Sequence, residues 1–388
     1  MDSISSRVSI DPVSGRGDLR RFLDFPKDLY RSDRQWITPL DQDLTQWLKP
    51  SHPFREHGEM ALWLARRNGQ VCGRISAQID RRHAELHGER VGYFGFFDCA
   101  NEPDTAAALL AAAAEWLAAR GQDLIRGPFN PTINASCGVL IDGRDSPPYM
   151  MMPHTPAYLP DLLTGVGLEP VQELLAYRLE LVDGPPAHTS RLIRRYGDRL
   201  HHRHITPRTW RRDLEQMRLI FNDAWSGNWG FIPFSEREFS HLGSEIRPLI
   251  DPRQGQIIDV DGEPAAMMIT LPNLNDVLRD LDGRLLPFGW LRLLMRIKLN
   301  RIKSARVVLL GVKRQWQKTP LASVMAYALL TRSWQLGCAT GWTEAELSWV
   351  LRDNRAIRLI IEKIGGVVYK RYAVYQRPLG TEPGGGGA

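Results

Sequence analysis

RVVLLGVKRQWQKTPLASVMAYALLTRSWQLGCATGWTEAELSWVLRDNRAIRLIIEKIGGVVYKRYAVYQRPL, residues Arg306–Leu379, alternates strand and helix signals along its whole length. Arg306–Val312 is a β-branched and Leu-rich run ending at a glycine, the pattern of a buried strand. A polar loop follows, and Thr319-Pro320 opens a helix, with Thr as N-cap and Pro at the first helical position. The helix is expected to run to about Gln335 and to stop at Leu336-Gly337. Glu344–Leu351 reads as a second strand, Arg355–Ile364 as a second helix closed by Gly365-Gly366, and Val367–Arg377 as a last strand.

A strand, a polar loop and a helix N-terminus together make a place for a phosphate, because free backbone N–H groups and the positive end of the helix dipole converge there. Lys313, Arg314 and Lys318 add charge beside it, while no Walker motif and no G-x-G-x-x-G occurs. The whole order resembles the GNAT superfamily of acyl-CoA N-acyltransferases. In that family a strand ending apolar-Gly-Val leads through a pyrophosphate loop into a helix. Another strand then leads to Asn and to a helix of the type N-x-A-I-x-x-x-Y-E-K-L-G-F. The matching residues here are Asn354, Ala356, Ile357, Glu362, Lys363, Ile364 and Gly365. Two departures matter. The loop pattern R/Q-x-x-G-x-G/A falls on about Gln317–Leu321 without its glycines, and the tyrosine that often protonates the leaving thiolate corresponds to Ile361.

The resemblance implies an α/β fold, here two tandem GNAT-like domains with mixed central sheets flanked by helices. It implies acyl-CoA as donor substrate, with pantetheine running between the two central strands and touching Asn354. Backbone N–H groups near Leu310, Gly311 and Val312 would hold the carbonyl oxygen. Arg314, Gln317, Lys318 and Thr319 would lie at the diphosphate.

Composition bounds the remaining classes. With 388 residues the chain has room for two domains. Net charge is +6, yet from Asp282 to Glu344 no acid intervenes while eleven Lys or Arg occur. Such a block suits cofactor phosphates, an acidic carrier protein, lipid headgroups or nucleic acid; the bland alternative is a solvated basic face. Cys72, Cys99, Cys137 and Cys338 are widely separated, so no disulfide framework is expected and a reducing cytoplasm fits. The N-terminal residues lack an apolar signal segment, and no apolar window is long enough to span a bilayer. No histidine spacing points to a metal: HAELH is not the zinc-protease order, and His201–His204 is interrupted by Arg203.

Earlier in the chain, Ala61–Arg66 and Gln70–Ile79 flank Asn68-Gly69, a type I′ hairpin signal. Arg90–Phe97 is a third strand, Thr105–Arg120 a helix and Leu124–Arg126 a strand; Arg20–Tyr30 is a helix expected to break at Pro26. The order returns at Gln256–Val260, Asp261-Gly262, Pro264–Leu271 and the stretch quoted first. We therefore expect an N-terminal domain at 1–183, without a phosphate loop, and a C-terminal acyl-CoA domain at 187–388, joined at Asp183–Pro186. Ile125–Leu159 is a long Pro- and Met-rich segment carrying Asn130, Asn134, His154 and Tyr158. It reads either as the wall of an apolar substrate tunnel or as a packing loop. After a helix at Trp210–Asn222, the cluster Trp225, Asn228, Trp229, Gly230, Phe231 and Phe234 falls where the family covers its acceptor substrate. Leu285–Lys303 is basic and apolar together, without a clean amphipathic face on a helical wheel, and is compatible with a peripheral membrane contact.

Amide formation from a thioester needs a neutral amine, donors for the oxyanion and a proton acceptor. Glu346 and Glu344, on one face of a strand, are the candidate bases; the alternative is that either simply pairs with the basic block. Tyr369, Tyr372 and Tyr375 are candidates for the missing acid, and spacing favours none of them. Within the superfamily FNDAWSGNWGFIPFSEREF (221–239), the GPFNPTIN loop, PNLNDVL (272–278) with DGRLLPFG (282–289), and AELSWVLRDN (345–354) resemble bacterial tandem-GNAT proteins that include bacterial ceramide synthases. That resemblance implies transfer of a long-chain acyl group from CoA, or from an acyl carrier protein, to a lipid-like amine. The acceptor it implies is the sphingoid base sphinganine or its 3-keto form, acylated in the cytoplasm at the inner face of the membrane, with no metal and no nucleic acid. The rivals are acylation of a small amine or amino acid, and a non-catalytic protein holding membrane or nucleic acid through its basic block.

Overall fold

A computed structural model of the chain describes residues 7–181, 184–285, 287–299 and 301–380. The tail beyond Gly380 and Asp183 at the expected join lie outside the described residues. In chain order the elements are β1 (Ser9–Pro12), α1 (Gly15–Leu29), α2 (Asp41–Leu48), β2 (Gly58–Arg67), β3 (Gln70–Asp80), α3 (Arg81–His87) and β4 (Val91–Cys99). Next come α4 (Pro103–Ala118), β5 (Leu124–Gly127), β6 (Phe129–Asn130), β7 (Ser136–Cys137), β8 (Val139–Asp142), α5 (Leu159–Gly165) and β9 (Glu169–Glu180). Then follow α6 (Ala187–Tyr196), β10 (Leu200–His204), α7 (Trp210–Trp225), α8 (Glu236–Ile246), β11 (Gly255–Val260), β12 (Glu263–Pro272) and α9 (Asn275–Leu278). The last are α10 (Gly289–Lys298), β13 (Ser304–Val312), α11 (Arg314–Gln317), α12 (Pro320–Ala339), β14 (Glu344–Leu351), α13 (Arg355–Lys363) and β15 (Val367–Pro378). The chain packs as two units: the first holds residues up to Leu174, Leu281–Arg284 and those from Lys370 on, the second Leu175–Asp280 and Leu285–Tyr369. The proposed domains 1–183 and 187–388 divide the chain by sequence order, so Leu281–Arg284 and the segment from Lys370 follow the join yet pack in unit 1.

In unit 1 the strand order is β1-β2-β3-β4-β5 and then β15, with β8 also on β15. β2 and β3 form the expected hairpin, Asn68 and Gly69 having φ of 52° and 77° as a type I′ turn demands. α4 crosses over to make β5 parallel to β4, and its Leu109, Leu110, Ala113 and Leu117 join Ile75, Ala77, Phe94 and Ile125 in one core. Pro26 does not break α1, contrary to expectation. Proline lacks the N–H that would bond the carbonyl of Phe22, and that oxygen instead accepts from the Arg74 guanidinium at 2.7 Å.

Unit 2 repeats the order, β9-β14-β13-β12-β11-β10. β11, β12 and β13 are antiparallel neighbours, and α12 crosses over so that β14 runs parallel to β13. On one face Leu321, Met325, Leu329 and Trp334 of α12 meet Ile258, Met268, Val307 and Leu347. On the other face α7 lies so near β13 that a Cβ on Gly311 would come 3.2 Å from that of Ala224. α12 continues past the expected stop at Gly337. That glycine sits inside the helix against Trp342, whose ring would be 2.5 Å from an added Cβ, so its lack of a side chain serves packing rather than termination.

Candidate active site

The parallel ladder between β13 and β14 is short. It pairs Ser304–Val307 with Glu344–Leu347, yet the strands run on to Val312 and Leu351. A bulge at Val308 follows the last pair, since Ile269 of β12 opposes Leu309 and Thr270 opposes Val307. Residues of a central strand are ordinarily buried on both faces. Here Val308, Leu309, Leu310 and Trp349 are only half-buried, as the walls of a cleft between diverging strands would be.

The register also sets which way the backbone points. Lys313 N donates to Ala265 O at 2.8 Å, so in the antiparallel ladder with β12 the groups of Gly311 and Leu309 face β12. Those of Leu310 and Val312 therefore face β14 and the cleft. Both carbonyls agree: Leu310 O accepts from Trp225 Nε1 at 3.0 Å, and Val312 O from Gln317 Nε2 at 2.9 Å. The N–H groups of Leu310 and Val312 point the same way, placed to meet a carbonyl oxygen lying between the strands.

Trp225, the last residue of α7, stands at the mouth. It bonds β13 through Leu310, and its ring meets Trp349 of β14 edge-on at 5.5 Å. Asn228 and Trp229 are half-buried in the turn that follows; Asn228 N donates to Trp225 O at 2.8 Å.

Inside the ladder lies a buried polar cluster. Glu346, fully buried, opposes Arg306 in the register, with Arg306 Nε 3.4 Å from its Oε1. Ser348 Oγ donates to that same oxygen, and the half-buried Tyr369 donates its hydroxyl to Oε2. Arg306 also donates to Ser348 Oγ at 2.9 Å and Ser348 O at 3.1 Å. A buried carboxylate requires such company to stay ionised. Its contact toward less buried space runs through the Tyr369 phenol. Glu344 lies opposite Ser304 at the half-buried start of β14. Arg306, Ser348, Trp349 and Asp223 escaped the sequence reading, because their meaning depends on cross-strand register and on α7 approaching the loop.

At the far end of β13 the loop folds as a short turn, α11. Arg314 N donates to Asp223 Oδ2 at 2.7 Å and its guanidinium to Ser226 Oγ at 3.2 Å. Gln317 spans Val312 O and Ala224 O, both at 2.9 Å, and Thr319 Oγ1 donates to Trp316 O at 2.8 Å. Gln317 and Thr319 therefore shape the loop, while the exposed Arg314 and Lys318 carry its charge at the start of the 20-residue α12. Asn354 caps α13, its Oδ1 accepting from Ile357 N at 3.4 Å.

Unit 1 has the same strand order without the opening. β4 carries a bulge after its ladder with β5, but Phe96 N donates to Asn130 Oδ1 at 2.6 Å. The backbone is so close there that a Cβ on Gly95 would lie 1.8 Å from Phe129 O. Asn130 is thus occupied inside unit 1, as are others from the Pro- and Met-rich segment. His154 Nε2 lies 2.8 Å from Asp33 Oδ2; burial lowers its pKa against the opposing pull of that carboxylate. Tyr158 donates to Cys99 O at 2.8 Å, its phenol pushed up to about 12 by burial. Asn134 is half-buried, and Met152 is buried while Met151 is exposed. The fully buried Lys370 ties this segment down, donating to Gly143 O and, at 2.7 Å, to Ser146 O. Tyr375 packs in the apolar core of unit 1, where burial raises its pKa, whereas Glu346 belongs to unit 2.

No protein-family model matches the chain. It is 37% identical over 381 residues to the bacterial ceramide synthase of Caulobacter vibrioides, covering 97% of this chain and 99% of that protein. It is 35% identical over 378 residues to Protein YghO of Escherichia coli K12, covering 97% of each. A solved tandem GNAT protein from the clavulanic acid biosynthesis pathway superposes with a TM-score of 0.57 at 13% identity, over 97% of this chain and 99% of that one. The GCN5-related glucosamine N-acetyltransferase region of a fungal β-N-acetylglucosaminidase gives 0.55 at 15% identity, over 97% of this chain and 39% of that one. Those two likenesses carry the fold, and the two full-length relatives carry the kinship. The chain belongs to the family of the bacterial ceramide synthase, has the fold of tandem GNAT proteins, and is an N-acyltransferase.

Proposed function

We propose that this enzyme moves a long-chain fatty acyl group from acyl-CoA to the amine of a sphingoid base, sphinganine or 3-ketosphinganine, at the inner face of the cell membrane. The observation that carries the reading is the parting of β13 from β14 in unit 2, where the N–H groups of Leu310 and Val312 turn toward β14 beyond the ladder that holds Glu346 and its partner Tyr369. The full-length relative named bacterial ceramide synthase supports the choice of substrate.

In this reading the diphosphate of CoA rests at the start of α12 near Arg314 and Lys318, and pantetheine enters between β13 and β14. The thioester oxygen accepts from Leu310 and Val312 N–H, which stabilise the charge that develops on it. The amine nitrogen attacks the thioester carbon and the C–S bond breaks. Of the two protons that an alkylammonium must lose, the first, released in water at a pH of about 10, goes to solvent before attack and the second leaves as the amide forms, so a proton acceptor must stand within reach of the nitrogen. Because Glu346 is buried, the proton passes through the Tyr369 oxygen: the phenol takes it from nitrogen while giving its own to Glu346. The return of that proton through Tyr369 to the thiolate completes the transfer from nitrogen to sulfur, leaving the protein unchanged. Arg306 and Ser348 hold the carboxylate in place.

The test is incubation of the purified protein with palmitoyl-CoA and sphinganine, or with 3-ketosphinganine, and mass spectrometry of the lipids. N-palmitoyl product with matching release of CoA thiol is expected. Acylation of glycine or spermidine at equal or better kcat/KM would reject the sphingoid acceptor.

A further inference from the structure

Helix α10 turns its apolar side outward. None of its residues is buried, and Trp290, Leu291, Leu294 and Met295 are exposed, with Phe288 and Leu299 at its ends exposed by 71% and 66%. More than half of the exposed large apolar side chains among the described residues lie in this one segment. The polar contact is on the inner side: Arg296 donates to Val277 O at 2.6 Å and to Asp280 Oδ2 at 2.7 Å. That is the reverse of an ordinary surface helix. The helix ends at Lys298, so Arg301 and Lys303 lie beyond its wheel, while Lys298 in its last turn still lies opposite Arg292 and Arg296.

The rim of this face is cationic. Arg292 and Lys298 are exposed on the helix, and Arg301 and Lys303 follow it. With Arg279, Arg296, Asp276 and Asp280 the latter two line an open concavity of about 490 Å³. Its acids are engaged. Asp280 is bonded by Arg296, and Asp276 Oδ2 accepts from Lys303 N and Ser304 N, both at 2.9 Å.

We propose that α10 and the adjoining basic concavity form a docking surface for an anionic lipid bilayer, with the apolar side chains entering the acyl boundary and Arg301 and Lys303 meeting headgroup phosphates. Charge complementarity selects this occupant. A second copy seated on the same face about a twofold axis would bring the cationic rim against itself. Nucleic acid would answer the charge but offers nothing to bury Trp290, Leu291 and Leu294. A bilayer answers both features at once. The inference rests on the proposed acyl transfer only for what the bilayer supplies, a chain-bearing substrate.

The experiment is co-sedimentation of the full chain with vesicles of phosphatidylcholine containing about one third phosphatidylglycerol, against pure phosphatidylcholine. The wild type should pellet with the anionic vesicles and be released by high salt. Trp290→Glu/Leu294→Glu should weaken binding by about tenfold or more, and Arg301→Gln/Lys303→Gln by several-fold, with unchanged Tm. Acylation of detergent-dissolved substrate should be unaffected in both variants, while acylation of vesicle-borne substrate falls. Failure of the wild type to pellet, or equal pelleting of the variants, overturns the proposal. So does sedimentation equilibrium that finds a wild-type dimer made monomeric by Trp290→Glu/Leu294→Glu. Vesicle binding without turnover in micelles would uphold the surface and count against the acyl-transfer reading.

Discussion

Glu346 is fully buried and takes a hydrogen bond from the half-buried Tyr369, so in the proposed relay the two residues act as one functional unit. Glu346→Gln should lower kcat on the order of 10²- to 10³-fold, the range for loss of a general base, while the Kd for CoA stays put. Tyr369→Phe should cost a similar factor, and the double variant little more than either alone, because groups acting as a relay are not additive. Turnover unchanged in Glu346→Gln, with the protein still folded, would leave the carboxylate as a partner of Arg306 only. A second prediction concerns His83, buried in unit 1 with its pKa lowered to about 4 by burial first and by His87 and Arg126 after it. The unfolded chain takes up this proton near about pH 6.5 and the folded one only near 4, so stability is lost as pH falls through that window. The loss should be on the order of 1 kcal/mol per pH unit, and His83→Asn should flatten the slope of stability between pH 6.5 and 4.5 in denaturant titrations. An unchanged slope would place the acid sensitivity elsewhere.

Strand and helix boundaries followed from local signals wherever a local cause sets them. Both hairpins sit at Asn-Gly or Asp-Gly with positive φ, and β14 has the span expected from Glu344–Leu351. Pro26 and Gly337 misled because their roles are tertiary: one leaves a carbonyl for Arg74, the other makes room for Trp342. Gly95 repeats that lesson, since only the fold brings Phe129 O against it. Gly95→Ala should therefore prevent unit 1 from folding or destabilise it by more than about 3 kcal/mol, beyond ordinary overpacking. Normal yield and Tm for this variant would refute the close approach of β4 and β6. The active-site reading divides similarly. Leu310–Val312 and Glu346 could be named as candidates because a strand-loop-helix order and a pair of acids are sequence patterns. Arg306 and Ser348 could not be named, because their meeting with Glu346 depends on parallel register, and Tyr369 stood only as one of three candidate tyrosines. Asn130, His154 and Tyr158 looked like site residues and are engaged inside unit 1.

At the scale of the molecule, two units share one strand order and a short parallel ladder but differ in what stands beyond it. In unit 1 the bulge of β4 is met by Asn130, and in unit 2 the N–H groups beyond the bulge of β13 face a cleft. If the cleft receives both CoA and a long chain, palmitoyl-CoA should raise Tm more than acetyl-CoA at equal concentration. A ligand at a hundred times its Kd contributes about 2.7 kcal/mol to the folded state. Equal shifts for the two would argue that the chain finds no pocket. The most direct measurement is a crystal structure with a ketone analogue of palmitoyl-CoA, its thioester sulfur replaced by CH₂. The account predicts the ketone oxygen within hydrogen-bond reach of Leu310 N or Val312 N, the diphosphate at the start of α12 and the reacting carbon facing Tyr369. An analogue bound in unit 1, or one in unit 2 whose ketone lies away from β13, would contradict it.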